Sequence, residues 1–283
     1  MQTPRLPDWA IYATVVAALV IAAVSRRETS DAPEAPPPIP GQEGGVIGAA
    51  SVFDPAIVIR TPAPSVMGGA VGGTAFSVSK AGVWLTARHA VDGCKKVALM
   101  VKADHGVVAD VHTGPGDVAV LTTLGGSPGI PLALTGPLHV GERGYHPGYP
   151  QGQAGEVSSR LIGRQTLVLR WQKRLRGAHA EQVVAWAETG RTDNLAGDLA
   201  GLSGAPVLDA NGYVVGMTLA EAPRRARLYT ATPETLAKAL RRLHLEPGPG
   251  DASAPLPFTT DNYGRMADSL RRDLQIAPVR CVG

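Results

Sequence analysis

The sequence predicts an all-β fold, and three observations carry that expectation. Short apolar runs recur from residue 74 to residue 231, most of them bounded by Gly, Pro, Asp or Asn. The chain of 283 residues holds 34 glycines and 24 prolines, a turn-rich composition suited to many short strands. No amphipathic helix separates the runs, so antiparallel barrels or a sandwich are expected rather than an α/β sheet. The candidate strands are 74–79, 83–87, 97–101, 107–113, 118–122, 131–134, 155–162, 166–172, 181–188, 205–208, 213–219 and 226–231.

The elements outside that region follow from local chemistry. From Trp9 to Val24 the chain carries no charge, and Arg26-Arg27 follows almost at once. The run lies between a secretory apolar region and a full membrane span. It reads as an uncleaved signal anchor over residues 1–27, with a cleaved signal peptide or a buried helix as the alternatives. Residues 28–48 hold a cluster of prolines with acidic and small residues and read as a linker that cannot bury a core. The folded domain is then expected over 49–246. Near its end Thr232-Pro233-Glu234 supplies a cap, a first-turn proline and an acid ahead of LAKALRRLHL, the start of a helix. Residues 247–283 read as a C-terminal tail with an amphipathic helix over 260–275.

Composition excludes some function classes. The formal charge is +3, and no Lys/Arg stripe alternates with aromatics, so no nucleic-acid partner is expected. The two cysteines, Cys94 and Cys281, lie far apart without metal-ligand spacing, so neither a metal nor a cofactor is expected. In an exported chain, two cysteines placed where a tether would be useful favour a disulfide between Cys94 and Cys281.

Three stretches carry chemistry. In GGTAFSVSKAGVWLTARHAV, two β-type runs lead to His89 after Thr-Ala-Arg. In GPGDVAVLTT, Asp117 opens an apolar strand, and in AGLSGAPVLDANGYVVGM, Ser203 sits in a Gly-Leu-Ser-Gly-Ala-Pro turn. The other histidines, His105, His112, His139, His146, His179 and His244, have no comparable context and read as structural or exposed.

The order His, Asp, Ser resembles the chymotrypsin-like (trypsin-fold) serine proteases, closest in detail to the bacterial HtrA/Deg-type branch. The resemblance covers roughly residues 70 to 235 and implies two six-stranded antiparallel β-barrels. Residues 247–283 are too few for the peptide-binding PDZ domain many of those proteins carry, so none is expected and a trimer is in doubt. The resemblance also implies a serine endopeptidase acting through an acyl-enzyme. His89 would be the base for Ser203, Asp117 would hold its tautomer, and the amides of Gly201 and Ser203 would face the developing oxyanion. By the same likeness Gly197, six positions before Ser203, with Asp198 beside it, would lie at the base of the substrate pocket. Thr218, Leu219, Ala220 and Glu221 would form its wall and the edge that pairs with substrate backbone.

The implied partner is an extracytoplasmic polypeptide substrate, reached by a protease domain anchored at a membrane. A catalytically silent scaffold that binds polypeptides and a hydrolase of small esters are the rival expectations.

Overall fold

The computed structural model describes residues 14–18, 44–51, 55–61, 72–171, 178–192, 195–246 and 252–282. The chain divides into two units, Met1–Ala35 and Pro36–Gly283. In the first, residues 14–18 are helical, while the rest of the expected anchor lies outside the described residues, as do residues 28–43 of the expected linker. Among the described residues no helix is long and apolar enough to cross a membrane.

The second unit is all-β. Its strands are β1 (Ile57–Thr61), β2 (Gly73–Ser79), β3 (Val83–Ala87), β4 (Lys96–Met100), β5 (Gly106–Thr113), β6 (Val118–Thr122) and β7 (Arg143–Gly148). They continue as β8 (Gly155–Trp171), β9 (Ala178–Arg191), β10 (Pro206–Leu208), β11 (Val214–Ala222), β12 (Arg227–Ala231) and β13 (Ile276–Val282). Two helices, α1 (Pro233–Arg242) and α2 (Tyr263–Arg272), lie between the last two strands. As expected, Thr232 caps α1 by accepting the Thr235 N–H.

Strands β2, β3, β6, β5, β4 and β13 close the first barrel. In the second, the order β8-β7-β10-β11-β12-β9 is closed by pairing of β9 with β8, and β1 lies parallel against the far half of β8. The six-plus-six antiparallel arrangement is therefore present. Side-chain alternation explains why strands such as β2 and β6 are buried on both faces. Ala75, Trp84, Ala119 and Leu121 point into the first barrel, while Phe76, Leu85, Val118 and Val120 join a larger core shared with Tyr145, Val183 and Met217 of the second.

The structure corrects the expected elements in four places. Residues 155–162 and 166–172 form one long strand, β8. Residues 131–134 make no strand, only a bridge of Leu132 to Val214. Strand β7, RGYHPG, has no alternating pattern because it is buried along nearly its whole length, and a Cβ at Gly144 would sit 2.7 Å from the Trp186 ring. The fourth correction is β13. The end of the expected tail pairs with β2 on one side and β4 on the other, with Val279 opposite Gly73 and Leu99. Pro278 argues against a strand on sequence, but Ala277 and Val279 are needed inside the first barrel.

The C-terminal segment is held on its way there. On α2, Arg271 is nearly buried and donates to Glu156 Oε2 (2.6 Å) and to the carbonyl of Gly155 (2.7 Å) on β8. The Gln275 amide donates to the carbonyls of Pro128 and Gly129.

Candidate active site

His89 lies in the single 3₁₀ turn Arg88–Ala90 that ends β3, and Asp117 stands just before β6, the neighbour of β3 in the barrel. The pairing of Ala87 with Val118 brings the two together. The Arg88 N–H donates to the carbonyl of Asp117 (2.9 Å), fixing the turn. Asp117 is fully buried, and His89 takes both its oxygens: the main-chain N–H donates to Oδ1 (2.9 Å) and the ring Nδ1 faces Oδ2 at 2.5 Å. Burial of His89 disfavours its imidazolium, but the charge and hydrogen bond of Asp117, with a smaller contribution from Glu181, outweigh it and hold the pKa above the usual 6.5.

The Ser203 turn is packed against the same stretch. The Thr74 N–H donates to the Ser203 carbonyl (2.8 Å). Gly204, at φ +89°, is so close to β2 and β3 that a Cβ there would fall 2.1 Å from the Thr74 carbonyl oxygen and 2.8 Å from the Ala87 nitrogen. Gly201, at φ +96°, leaves equally little room: a Cβ would lie 2.5 Å from the Tyr149 carbonyl. These approaches explain the glycines on either side of Ser203. The amides of Leu202, Gly204 and Ala205 donate to Leu199, Thr218 and Leu202. Those of Gly201 and Ser203 have no acceptor among the described residues. The Ser203 hydroxyl donates to the carbonyl of Leu219 (3.3 Å).

The expected pocket residues divide. Gly197 and Asp198 are exposed; the Gly197 carbonyl accepts from Arg191 (2.7 Å), and the Asp198 carboxylate from the Ala200 N–H (3.2 Å). Thr218 faces away from solvent, with its hydroxyl on Nδ1 of His146 (3.0 Å), while Leu219 is buried and Ala220 half-buried. Among the described residues no strand flanks β11 beyond Met217 on the side opposite β12, where Thr218 still pairs with the main chain of Gly204 and Ala205. Glu221 is half-buried; its Oε1 accepts the Leu199 N–H (2.6 Å) and its Oε2 is buried without a hydrogen-bond partner among the described residues. Burial pushes its carboxyl pKa up, against the Leu199 hydrogen bond and the charge of Arg191.

Two further side chains border the site: Glu181, which no expectation covered, and His146, read as structural or exposed. His146 is fully buried between Thr218 and Ser159 (2.7 Å), with its ring edge-on to Trp186, and burial lowers its pKa to about 3. Glu181, on β9, reaches the main chain of Asp117 (3.3 Å). No local motif marks either one. Cys94, in the loop after His89, is bonded to Cys281 as expected, with their Cα atoms 5.2 Å apart.

The chain matches the trypsin-like peptidase domain over residues 73–217, just over half of its length, and belongs to that family. No curated protein sequence matches it. Among solved structures it is similar to the inactive form of the Rv3671c protease of M. tuberculosis, at 23% identity and a TM-score of 0.48 over 60% of this chain and 82% of that one. It is also similar to the HtrA-type protease AlgW with a decapeptide, at 17% identity and a TM-score of 0.47 over 61% of this chain and 51% of that one. A third is the MamO protease domain from Magnetospirillum magneticum, at 16% identity and a TM-score of 0.44 over 64% of this chain and 91% of that one.

Proposed function

We propose that this protease is a serine endopeptidase that opens peptide bonds of polypeptides through Ser203, His89 and Asp117. The observation that carries the reading is the His89–Asp117 pair, a buried carboxylate engaged by both its oxygens, together with the close packing of Gly204, next to Ser203, on the backbone of Ala87 two residues before His89. A serine hydroxyl needs a base to attack at neutral pH, and Asp117 on Nδ1 leaves Nε2 of His89 to accept that proton. The unpaired amides of Gly201 and Ser203 are the donors for the tetrahedral oxyanion, and such donors are worth about 3–4 kcal/mol each when removed. Substrate backbone would lie along the open side of β11 past Thr218. The charge-free run from Trp9 to Val24 and the disulfide support an anchored protease working outside the cytoplasm.

One observation favours a second reading, a silent scaffold: the Ser203 hydroxyl is bonded to Leu219. Reaction of the full chain with a fluorophosphonate probe separates the two. Labelling that disappears in Ser203→Ala supports the peptidase. An unlabelled chain that still binds unfolded casein supports the scaffold, and casein cleavage by Ser203→Ala at the parent rate overturns the assignment of the nucleophile.

A further inference from the structure

Behind the His89–Asp117 pair lies a second carboxylate. Glu181 sends Oε2 to the Asp117 N–H (3.3 Å), and a Cβ at Gly116 would fall 2.0 Å from that same oxygen. Gly116 has φ +63°, so both space and backbone favour glycine there. The other oxygen, Oε1, is buried without a hydrogen-bond partner among the described residues. Both oxygens of Asp117 are already engaged by His89. The charged groups that face Glu181 are Asp117, just before β6, and His89 in the 3₁₀ turn; across the β8–β9 ladder it meets Leu167. Two carboxylates and one imidazole therefore share one largely dry site.

Resting on the reading of His89 as the base, we propose that Glu181 is a positioning residue that holds the Asp117 main chain and, by gaining or losing its own proton, sets the basicity of His89. Burial, and then the charge of Asp117, push the Glu181 carboxyl up to about 7, against the Asp117 N–H and the charge of His89. Like charges this close resist joint ionisation. Ionised Glu181 favours the imidazolium of His89; neutral Glu181 withdraws that support. As pH falls through about 7, Glu181 takes up a proton and His89 keeps its neutral, working form further into the acid range than it would beside a permanently charged neighbour. The two protonations then belong to the cluster rather than to either residue.

The test follows the His89 ring Cε1–H signal against pH by NMR in the full chain carrying Ser203→Ala, with and without Glu181→Gln. Glutamine keeps an acceptor for the Asp117 N–H and has no charge at any pH. The expected result is a His89 midpoint shifted downward in Glu181→Gln, and a two-step curve in the parent that becomes one step in the variant. Identical midpoints and shapes overturn the proposal. The carboxyl ¹³C signal of Glu181 needs no variant: a midpoint near 7 supports the coupling, and one near the ordinary 4.5 overturns it. Neither readout requires proteolysis. A chain that shows the coupling but never labels with fluorophosphonate sinks the peptidase reading alone, and a labelled chain without coupling sinks the role of Glu181 alone.

Discussion

The Ser203 hydroxyl points at the carbonyl of Leu219, 3.3 Å away, while His89 is tied through Nδ1 to Asp117. Reaching the imidazole requires the serine side chain to move from this position, and staggered wells separated by low barriers make that inexpensive.

The first prediction concerns these three side chains as a unit. Ser203→Ala and His89→Ala should each remove nearly all turnover, and the double variant should lose little more. Asp117→Asn can still accept the His89 N–H through its carbonyl oxygen, but its NH₂ group would meet Nδ1 and force the wrong tautomer. Turnover should fall by up to about 10⁴ with little change in thermal midpoint. Rates on a fluorogenic peptide, compared singly and in combination, check the non-additivity.

Glu221 carries the second prediction. Its Oε1 accepts the Leu199 N–H at the start of the turn that leads to Gly201. Glu221→Ala removes the acceptor and loosens that turn, whereas Glu221→Gln retains one. Leaving the buried Leu199 N–H without an acceptor costs about 1–3 kcal/mol, and where that cost falls on the active arrangement of the turn, kcat in the alanine variant should fall about fivefold or more. The glutamine variant should stay close to the parent. Equal losses in both would show that charge, not the anchoring of Leu199, is what matters.

How far the sequence foretold this site depends on the range of the interactions. His89, Asp117 and Ser203 stand out as candidates in the sequence because His89 and Asp117 flank β3 and β6, Ser203 lies in a glycine-marked turn ahead of β10, and immediate neighbours mark each. Local chemistry also marked the cap at Thr232 and the α1 helix. Strand β13 could not be found this way, because its apolar residues matter only once β2 and β4 are in place, and Pro278 argues locally against pairing. The same holds for Glu181 and His146, whose roles arise across β9 and β7 from residues far away in sequence. Thr218 is expected on the pocket wall and its pairing edge from its place after the serine turn alone, and the contact of its hydroxyl with His146 is again one that sequence distance hides.

His146 supplies the third prediction, on pH and stability. Its folded pKa is depressed to about 3 from the ordinary 6.5, so the unfolded chain binds a proton in that window when the folded chain does not. The stabilisation is fully present above pH 6.5 and is lost as pH falls from there toward 3. In urea titrations, the parent should lose stability steadily between pH 6.5 and 4. In His146→Gln, which has no proton to take up, the slope over that window should be shallower, although its stability at pH 7 is lower. Parallel slopes would show that folding does not depress the His146 pKa and would overturn the prediction.

The last prediction joins the disulfide to the closure of the first barrel. Cys281 lies on β13 opposite Val97 of β4, and Cys94 belongs to the loop that leaves the His89 turn, so the bond staples the closing strand beside the proposed base. The bridge spans 187 residues, for which chain entropy alone gives about 5 kcal/mol, an upper bound because residual structure in the unfolded chain reduces it. The pairs of β13 with β2 and β4, and the Arg271–Glu156 bridge on α2, hold the segment independently of the sulfurs. Cys94→Ala should therefore lower the thermal midpoint while the native chain stays folded at 25 °C. Deletion of residues 276–282 removes a strand from the barrel and exposes the unpaired edges of β2 and β4, so that chain should fail to fold. Hydrogen exchange distinguishes the two contributions. In Cys94→Ala the amides of β13 should exchange faster while those of β8 and β9 keep their protection. Loss of protection in both barrels together would mean that the bond holds the whole molecule rather than its last strand.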